Sequence, residues 1–365
     1  MSDADVKARL RAYRDAAQRR EVAPDAWPRL ERRLRREPWR RAALAAAAVA
    51  LVVGVAAVGT GPIARWAERQ PATVGAPGRP TVAARIPLGC PPGTRSLEVG
   101  FGAAWVACDG VLLRIDPAAN RIAAVIPLEG GVADIGISDD WVWVASGSSA
   151  HPVVYQIDPV RNVPVISTPV PPDPSGIAIA DGVAWVIGDG AEPGTLGPAR
   201  VVRLDADTGA RLSPIQLPSP PVRIRSGFGA IWVSTERAVY RIDPRTLIRT
   251  RVPRAQDVVA AGPDSLWVTA DNPSTGIHRI DPASGRVLAT IPVPVKEIRA
   301  LALGQGALWV STTAELYRLD PGDARVVGAP VPLEAPTAAL AVGEGGIWVL
   351  ESGRETFIAR LDPTP

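Results

Sequence analysis

The sequence predicts an all-β fold: a seven-bladed β-propeller whose N-terminal strand closes the last blade, preceded by one transmembrane helix and a short helical cytoplasmic arm. Three observations carry this. The pair Trp-Val recurs at Trp105, Trp143, Trp185, Trp232, Trp267, Trp309 and Trp348, at intervals of 35 to 47 residues. Each pair is followed by a strand ending in Asp, as in RIDP at 114–117, 241–244 and 279–282. Residues 42–64 carry no charge at all.

The repeat unit reads as four short strands, which is the pattern of a propeller blade. Strand a precedes a Gly-rich turn, strand b carries Trp-Val, strand c ends at Asp-Pro, and strand d is of the RIAAVIPL type at 121–128. The seventh unit stops at Leu361-Asp362-Pro363 without a strand d, and TVAARIPL at 81–88 matches the missing piece. Pairing these ends removes the open edges of a linear array. The Trp side chains share one register and are expected to pack between blades. The Asp residues suit tight turns, where proline presets φ, Asp bonds nearby backbone, and Gly or Asn accepts positive φ. One Asp per unit does not supply the six to eight oxygens of a calcium site.

The region before the repeats divides into a basic arm (1–41), an apolar segment (42–64) and a Pro/Gly-rich linker (65–80); the propeller is expected over 81–365. The arm holds 13 Lys/Arg against 7 Asp/Glu, and the rest of the chain holds 27 against 30. The basic balance thus belongs to the arm, and a body built to grip nucleic acid is excluded. The 23 residues of 42–64 exceed the roughly 20 needed to span a bilayer. Arginines flank mainly the upstream side, so the N-terminus is expected in the cytoplasm and the propeller outside. A cleaved signal peptide and a buried soluble helix are the other readings of this run. The arm itself reads as helices over 3–20 and 25–37, with Trp27, Leu30 and Leu34 on one stripe. It suits either anionic lipid head groups or a cytoplasmic partner.

Binding is expected where the frame varies. The loops between strands b and c are irregular: SGSSAHP at 146–152 with His151, GDGAEPGTLGPA at 188–199, and ADNPSTG at 270–276 with Asp271 and Asn272. The loops leading into strand a add Asp173, Arg223, Lys296 and Glu297. Strand a lies nearest the axis, and one of its columns is small at Gly136, Ala178, Ala260, Ala302 and Ala341. Glu98 and Arg225 are the exceptions there. Asp134 and Arg223 stand in the adjacent column that begins at Ser96, so these four charges are candidates for the central channel. Cys90 leaves the closing strand and Cys108 ends strand b of the first unit. A disulfide between them fits an oxidising compartment. No Cys/His cluster has metal-site spacing, no nucleophile or phosphate-loop motif is present, and no catalytic residue, metal or cofactor is predicted.

The units at 81–365 resemble bacterial propellers of the YVTN-repeat and streptogramin-lyase type, through the text IPL…GxGAIWV…RIDPxTG. The resemblance implies the fold. It also implies a lyase that opens a cyclic ester with histidine, an acidic residue and magnesium, but His151 and His278 do not match such a pair, so no lyase residue carries over. The function expected is a non-catalytic binding or sensing module of the cell envelope, single-pass in the membrane, taking a protein, glycan or small molecule on its loop face. A lyase-like enzyme and a structural scaffold are the alternatives.

Overall fold

The computed structural model describes residues 80–363, apart from 92, 95, 147–151, 172, 189–199, 253–254, 262–265, 271–276, 292–297 and 323–324. These residues lie in one compact unit, Pro77–Pro365. The strands in order are β1 (Thr81–Pro87), β2 (Ser96–Gly100), β3 (Ala103–Asp116), β4 (Arg121–Ile137), β5 (Val142–Ser146), β6 (Val153–Asp158) and β7 (Val163–Pro169). Then come β8 (Pro174–Ala180), β9 (Val183–Gly188), β10 (Arg200–Asp205), β11 (Arg211–Gln216), β12 (Pro221–Gly227), β13 (Ala230–Thr235), β14 (Val239–Ile242) and β15 (Arg249–Val252). The last are β16 (Ala255–Ala261), β17 (Leu266–Ala270), β18 (Ile277–Ile280), β19 (Val287–Ile291), β20 (Ala300–Gly304), β21 (Ala307–Ser311), β22 (Glu315–Leu319), β23 (Val331–Pro332), β24 (Thr337–Gly343), β25 (Gly346–Ser352) and β26 (Thr356–Asp362). Every ladder between them is antiparallel.

Two expectations are corrected. Hydrogen bonding joins the strands into six sheets, five of four strands and one of six, rather than seven separate blades. The cause is β4, which runs unbroken through the junction of the first two repeat units. Its first part pairs with β3 and its second with β5. At the junction Gly131 pairs with Asp109 instead of looping out. The Ser146 hydroxyl donates to the carbonyls of Glu129 (3.0 Å) and Gly131 (3.2 Å), which keeps that stretch extended. Counted by hydrogen bonding, the propeller therefore has six blades, one of which carries two repeat units. The second correction concerns helix. The described residues contain strands and turns, and no helix among them is long and apolar enough to cross a membrane. The transmembrane helix predicted at 42–64, the arm at 1–41 and the linker up to residue 79 lie outside the described residues.

The core is built from faces of consecutive units pressed together. All seven repeat Trp side chains are fully buried. Trp105 packs with Val142 and Val144 of the following unit, Trp185 with Ile231 and Val233, and Trp232 with Leu266 and Val268. Trp267 meets Leu308 and Val310, Trp309 meets Ile347 and Val349, and Trp348 meets Ala104 and Val106 of the first unit. The ring thus closes through the same contact that builds it, and β1 pairs along β26 as the outer strand of the last sheet.

The repeated motifs are explained by this packing. The indole N–H of Trp105, Trp232, Trp309 and Trp348 donates to the carbonyl five residues earlier, at Gly100, Gly227, Gly304 and Gly343, over 2.9–3.1 Å. A buried indole needs that partner. In the turns between, Phe228-Gly229 and Gln305-Gly306 both take positive φ at each position (54° and 62°; 53° and 68°). This is a type I′ hairpin, and it explains the glycine in the turn before Trp105, Trp185, Trp232, Trp309 and Trp348; the turn before Trp143 is Ser138-Asp139-Asp140 instead. The turn Asp residues accept backbone N–H bonds, as at Asp116 from Ala118 (2.8 Å), Asp243 from Arg245 and Thr246 (2.9 Å each) and Asp320 from Gly322 (2.7 Å). These bonds hold the Asp116 and Asp243 carboxyls below their usual range. Arg203 stacks over Trp185 of its own unit (4.9 Å to the ring centre), whereas Arg360 and Arg279 reach between units and donate to Asn120 and Gly322 in the next unit's turn (3.2 and 3.4 Å).

Cys90 and Cys108 form a disulfide with Cα atoms 5.6 Å apart. It ties the segment after β1 to β3, across the place where the chain's two ends meet.

Trp232→Ala removes a fully buried indole and is expected to cost about 3–5 kcal/mol, read as a fall in the urea midpoint. A fall below about 1 kcal/mol would refute the packing role. Reducing the disulfide in the folded protein is expected to lower stability by about 3 kcal/mol, measured by chemical denaturation with and without reductant.

Candidate functional site

The innermost strands surround a channel of about 630 Å³, lined by residues of β2, β4, β8, β12, β20 and β24 with Arg299 just ahead of β20. That volume is in the range of small-molecule sites. Backbone register explains how the lining arises. Glu98, Gly136, Ala178, Arg225, Ala260, Ala302 and Ala341 each pair with the Trp of their own unit. They therefore form one level around the axis. Five of the seven are Gly or Ala, because converging strands leave little room. The two that are not, Glu98 and Arg225, bear opposite charge.

The next level contains Ser96, Asp134 and Arg223. Asp134 ties three elements together. The Ser96 hydroxyl donates to Asp134 Oδ1 (2.9 Å) while accepting the Ile135 N–H (3.0 Å). The Ile177 N–H of β8 donates to Asp134 Oδ2 (3.1 Å), and Arg225 Nη1 lies 3.7 Å from the same oxygen. Arg225 Nη1 also donates to the Ile224 carbonyl (2.8 Å). Its side chain is 37 % exposed against 15 % for Asp134, so Arg225 keeps donor surface toward the channel while Asp134 is largely spent on structure.

Glu98 is different. Among the described residues it makes no hydrogen bond and no ion pair. Its side chain is partly buried and lines the channel. Burial raises its pKa to about 7, Arg225 opposes that rise, and Asp134 adds to it.

Of the sequence-predicted residues, the fold brings together Glu98, Asp134, Arg223 and Arg225. Asp173 sits just before β8 at φ 53°, shaping the entry to that strand, and is not among the lining residues. His151, Asp271, Asn272, Lys296 and Glu297 lie outside the described residues. Sequence reasoning passed over Ser96 as a partner of Asp134, although its shared column was the available signal. It also passed over the Ile177 N–H and Arg299, which have no motif. His278 is buried, with Nδ1 3.0 Å from the Thr290 hydroxyl, and does not line the channel. Among the described residues, no group of three or more His, Cys, Asp and Glu side chains is placed to hold a metal ion.

The class defined by this architecture is the β-propeller: sheets packed face to face around an axial channel. No family model matches the sequence. No curated protein matches it either. Among solved structures, Kuenenia stuttgartiensis hydrazine synthase is similar with a TM-score of 0.59 at 12% identity, over 74% of this chain and 96% of that one. U3-55K is similar with a TM-score of 0.61 at 11% identity, over 77% of this chain and 100% of that one. Both neighbours are propellers, and at such identity the likeness is one of fold.

The raised Glu98 pKa predicts a signed effect. The folded state prefers the neutral acid, so ionisation costs stability as pH climbs from the ordinary carboxyl value through about 7. Glu98→Gln is therefore expected to stabilise the protein by roughly 1–3 kcal/mol at pH 8 and by little at pH 4.5. Equal effects at both pH values, by denaturant midpoints, would contradict the assignment.

Proposed function

We propose that the chain is a non-catalytic binding or sensing module of the bacterial cell envelope, working outside the cytoplasm. It takes its ligand at the loop face and into the axial channel. The observation that carries this reading is the channel: about 630 Å³ with charged side chains on an otherwise mostly apolar wall. Rigid sheets that converge on a polar cavity suit recognition, because the binding groups are held in place before the ligand arrives. The disulfide supports an oxidising, extracytoplasmic location. The uneven charge of the chain, basic before residue 42 and slightly acidic after, supports a position at the membrane with the arm on the cytoplasmic side. The variable loops with His151, Asp271, Asn272, Lys296 and Glu297 belong to the same proposed face, and the arm at 1–41 is the proposed contact for a cytoplasmic partner. The finer kinship to YVTN-repeat and streptogramin-lyase propellers rests on the repeat text alone.

The test compares wild type with channel-filling variants, Ala302→Trp and Ala341→Leu, each first shown to melt cooperatively. Thermal shifts are recorded for the full-length protein against small-molecule fractions of an envelope extract. Stabilisation of wild type that both variants lose is expected. Stabilisation that survives in both, or no stabilising fraction, would remove the channel from the function. Thiol alkylation in intact cells checks the location: Cys90 and Cys108 are expected to resist labelling until reduced.

A further inference from the structure

The channel presents two opposite charges that face each other without touching. Glu98 and Arg225 occupy the same level, three units apart, with Gly136 and Ala178 of the two intervening units between them. They interact through space, yet no oxygen of Glu98 comes within 4.0 Å of the guanidinium. Glu98 has no hydrogen-bond partner among the described residues, whereas Asp134 already accepts two hydrogen bonds and lies beside Arg225. The opposite arc, at Ala300, Ala302, Ala339 and Ala341, is small and apolar.

A partly buried carboxyl with no hydrogen-bond donor among the described residues and a half-exposed guanidinium across a gap call for a ligand that brings both a donor cation and an acceptor anion. A simple anion would satisfy Arg225 and leave Glu98 desolvated and repelled. A simple amine would satisfy Glu98 but bring a second cation toward Arg225 with no anion between them. Either mismatch costs affinity, because a buried charge without a partner is expensive.

Resting on the channel reading above, we propose that the site binds a small zwitterion of the α-amino-acid class, with its ammonium on Glu98, its carboxylate on Arg225 and its side chain along the alanine arc. Asp134 is a positioning residue: fixed by Ser96 and the Ile177 N–H, it steadies Arg225 from behind. Among the described residues, the charged groups that line the channel with Glu98 are Asp134 on β4, Arg223 and Arg225 on β12 and Arg299 ahead of β20, while the lining positions of β8 and β24 carry no charge. Asp257 occupies the register position on β16 that matches Arg223. Holding the ammonium requires ionised Glu98, so binding weakens as pH falls below about 7.

Calorimetric titration of the full-length protein uses three probes of matched shape: L-leucine, 4-methylpentanoate without the amine, and 3-methylbutylamine without the carboxylate. Leucine is expected to bind at least about tenfold tighter than either half-probe. Glu98→Gln is expected to weaken leucine about tenfold and to tighten 4-methylpentanoate, because the repelling carboxylate is gone; Arg225→Gln should weaken leucine and tighten the amine. Leucine affinity should fall at least about fivefold from pH 8 to pH 5.5 in wild type and stay flat in Glu98→Gln. A half-probe binding as well as leucine, no binding of leucine, or a Glu98→Gln profile that still follows pH would overturn the zwitterion. The half-probes test wild type, so misfolded variants do not blunt the result. If leucine fails while an envelope fraction still stabilises wild type and not Ala302→Trp, the zwitterion class is wrong and the channel reading stands. If both fail, the channel reading falls as well.

Discussion

A tryptophan pressed flat between consecutive repeat units is the contact on which the rest of this molecule depends. A single four-stranded sheet buries one face at most, and alone it would leave the other wet. Here the indole of one unit covers the strand that bears the indole of the next. At Trp105, Trp232, Trp309 and Trp348 its N–H bonds the strand end before the turn, and Arg279 and Arg360 reach the following unit's turn. Because Trp348 meets the first unit in the same way, the chain has no end in the packing sense. The disulfide and the β1–β26 ladder reinforce that seam.

Closure has a consequence at the axis. Strands that converge must carry small side chains, and a charged residue there is conspicuous for a physical reason. The space that remains is a channel whose polar groups are held by backbone register and not by flexible loops. Asp134 shows how firmly: a hydroxyl from β2, an N–H from β8 and the guanidinium from β12 all converge on one carboxylate. Such an arrangement places Arg225 before any ligand enters, which lowers the ordering cost of binding. Glu98 is the counterpart, a carboxyl left without a hydrogen bond in a setting that raises its pKa to about 7.

Much of the fold was legible because its determinants are local. The type I′ turn needs positive φ at Phe228-Gly229, the Asp turns need a short acceptor at Asp116 and Asp243, and both leave a fixed text at fixed spacing. The match between residues 81–88 and the missing outer strand was equally readable, since identical structural positions select similar residues. The number of sheets was not. Whether residues 129–131 loop out or pair depends on Asp109 and Ser146, which are distant in the repeat text, and their pairing fuses two units into one sheet.

The sequence by itself determined the repeat, its strand order, the buried face of each strand and the residues that stand out along the inner column. These follow from periodicity and turn chemistry, which act over a few residues. The Cys90–Cys108 pairing was also readable, from where the two residues leave their strands. Only the tertiary structure decided that Glu98 and Arg225 face each other across a gap and that Asp134 is consumed by Ser96 and the Ile177 N–H. Those outcomes join residues from different repeat units, and distances between units are set by how the sheets twist and pack around the axis. No local pattern encodes them.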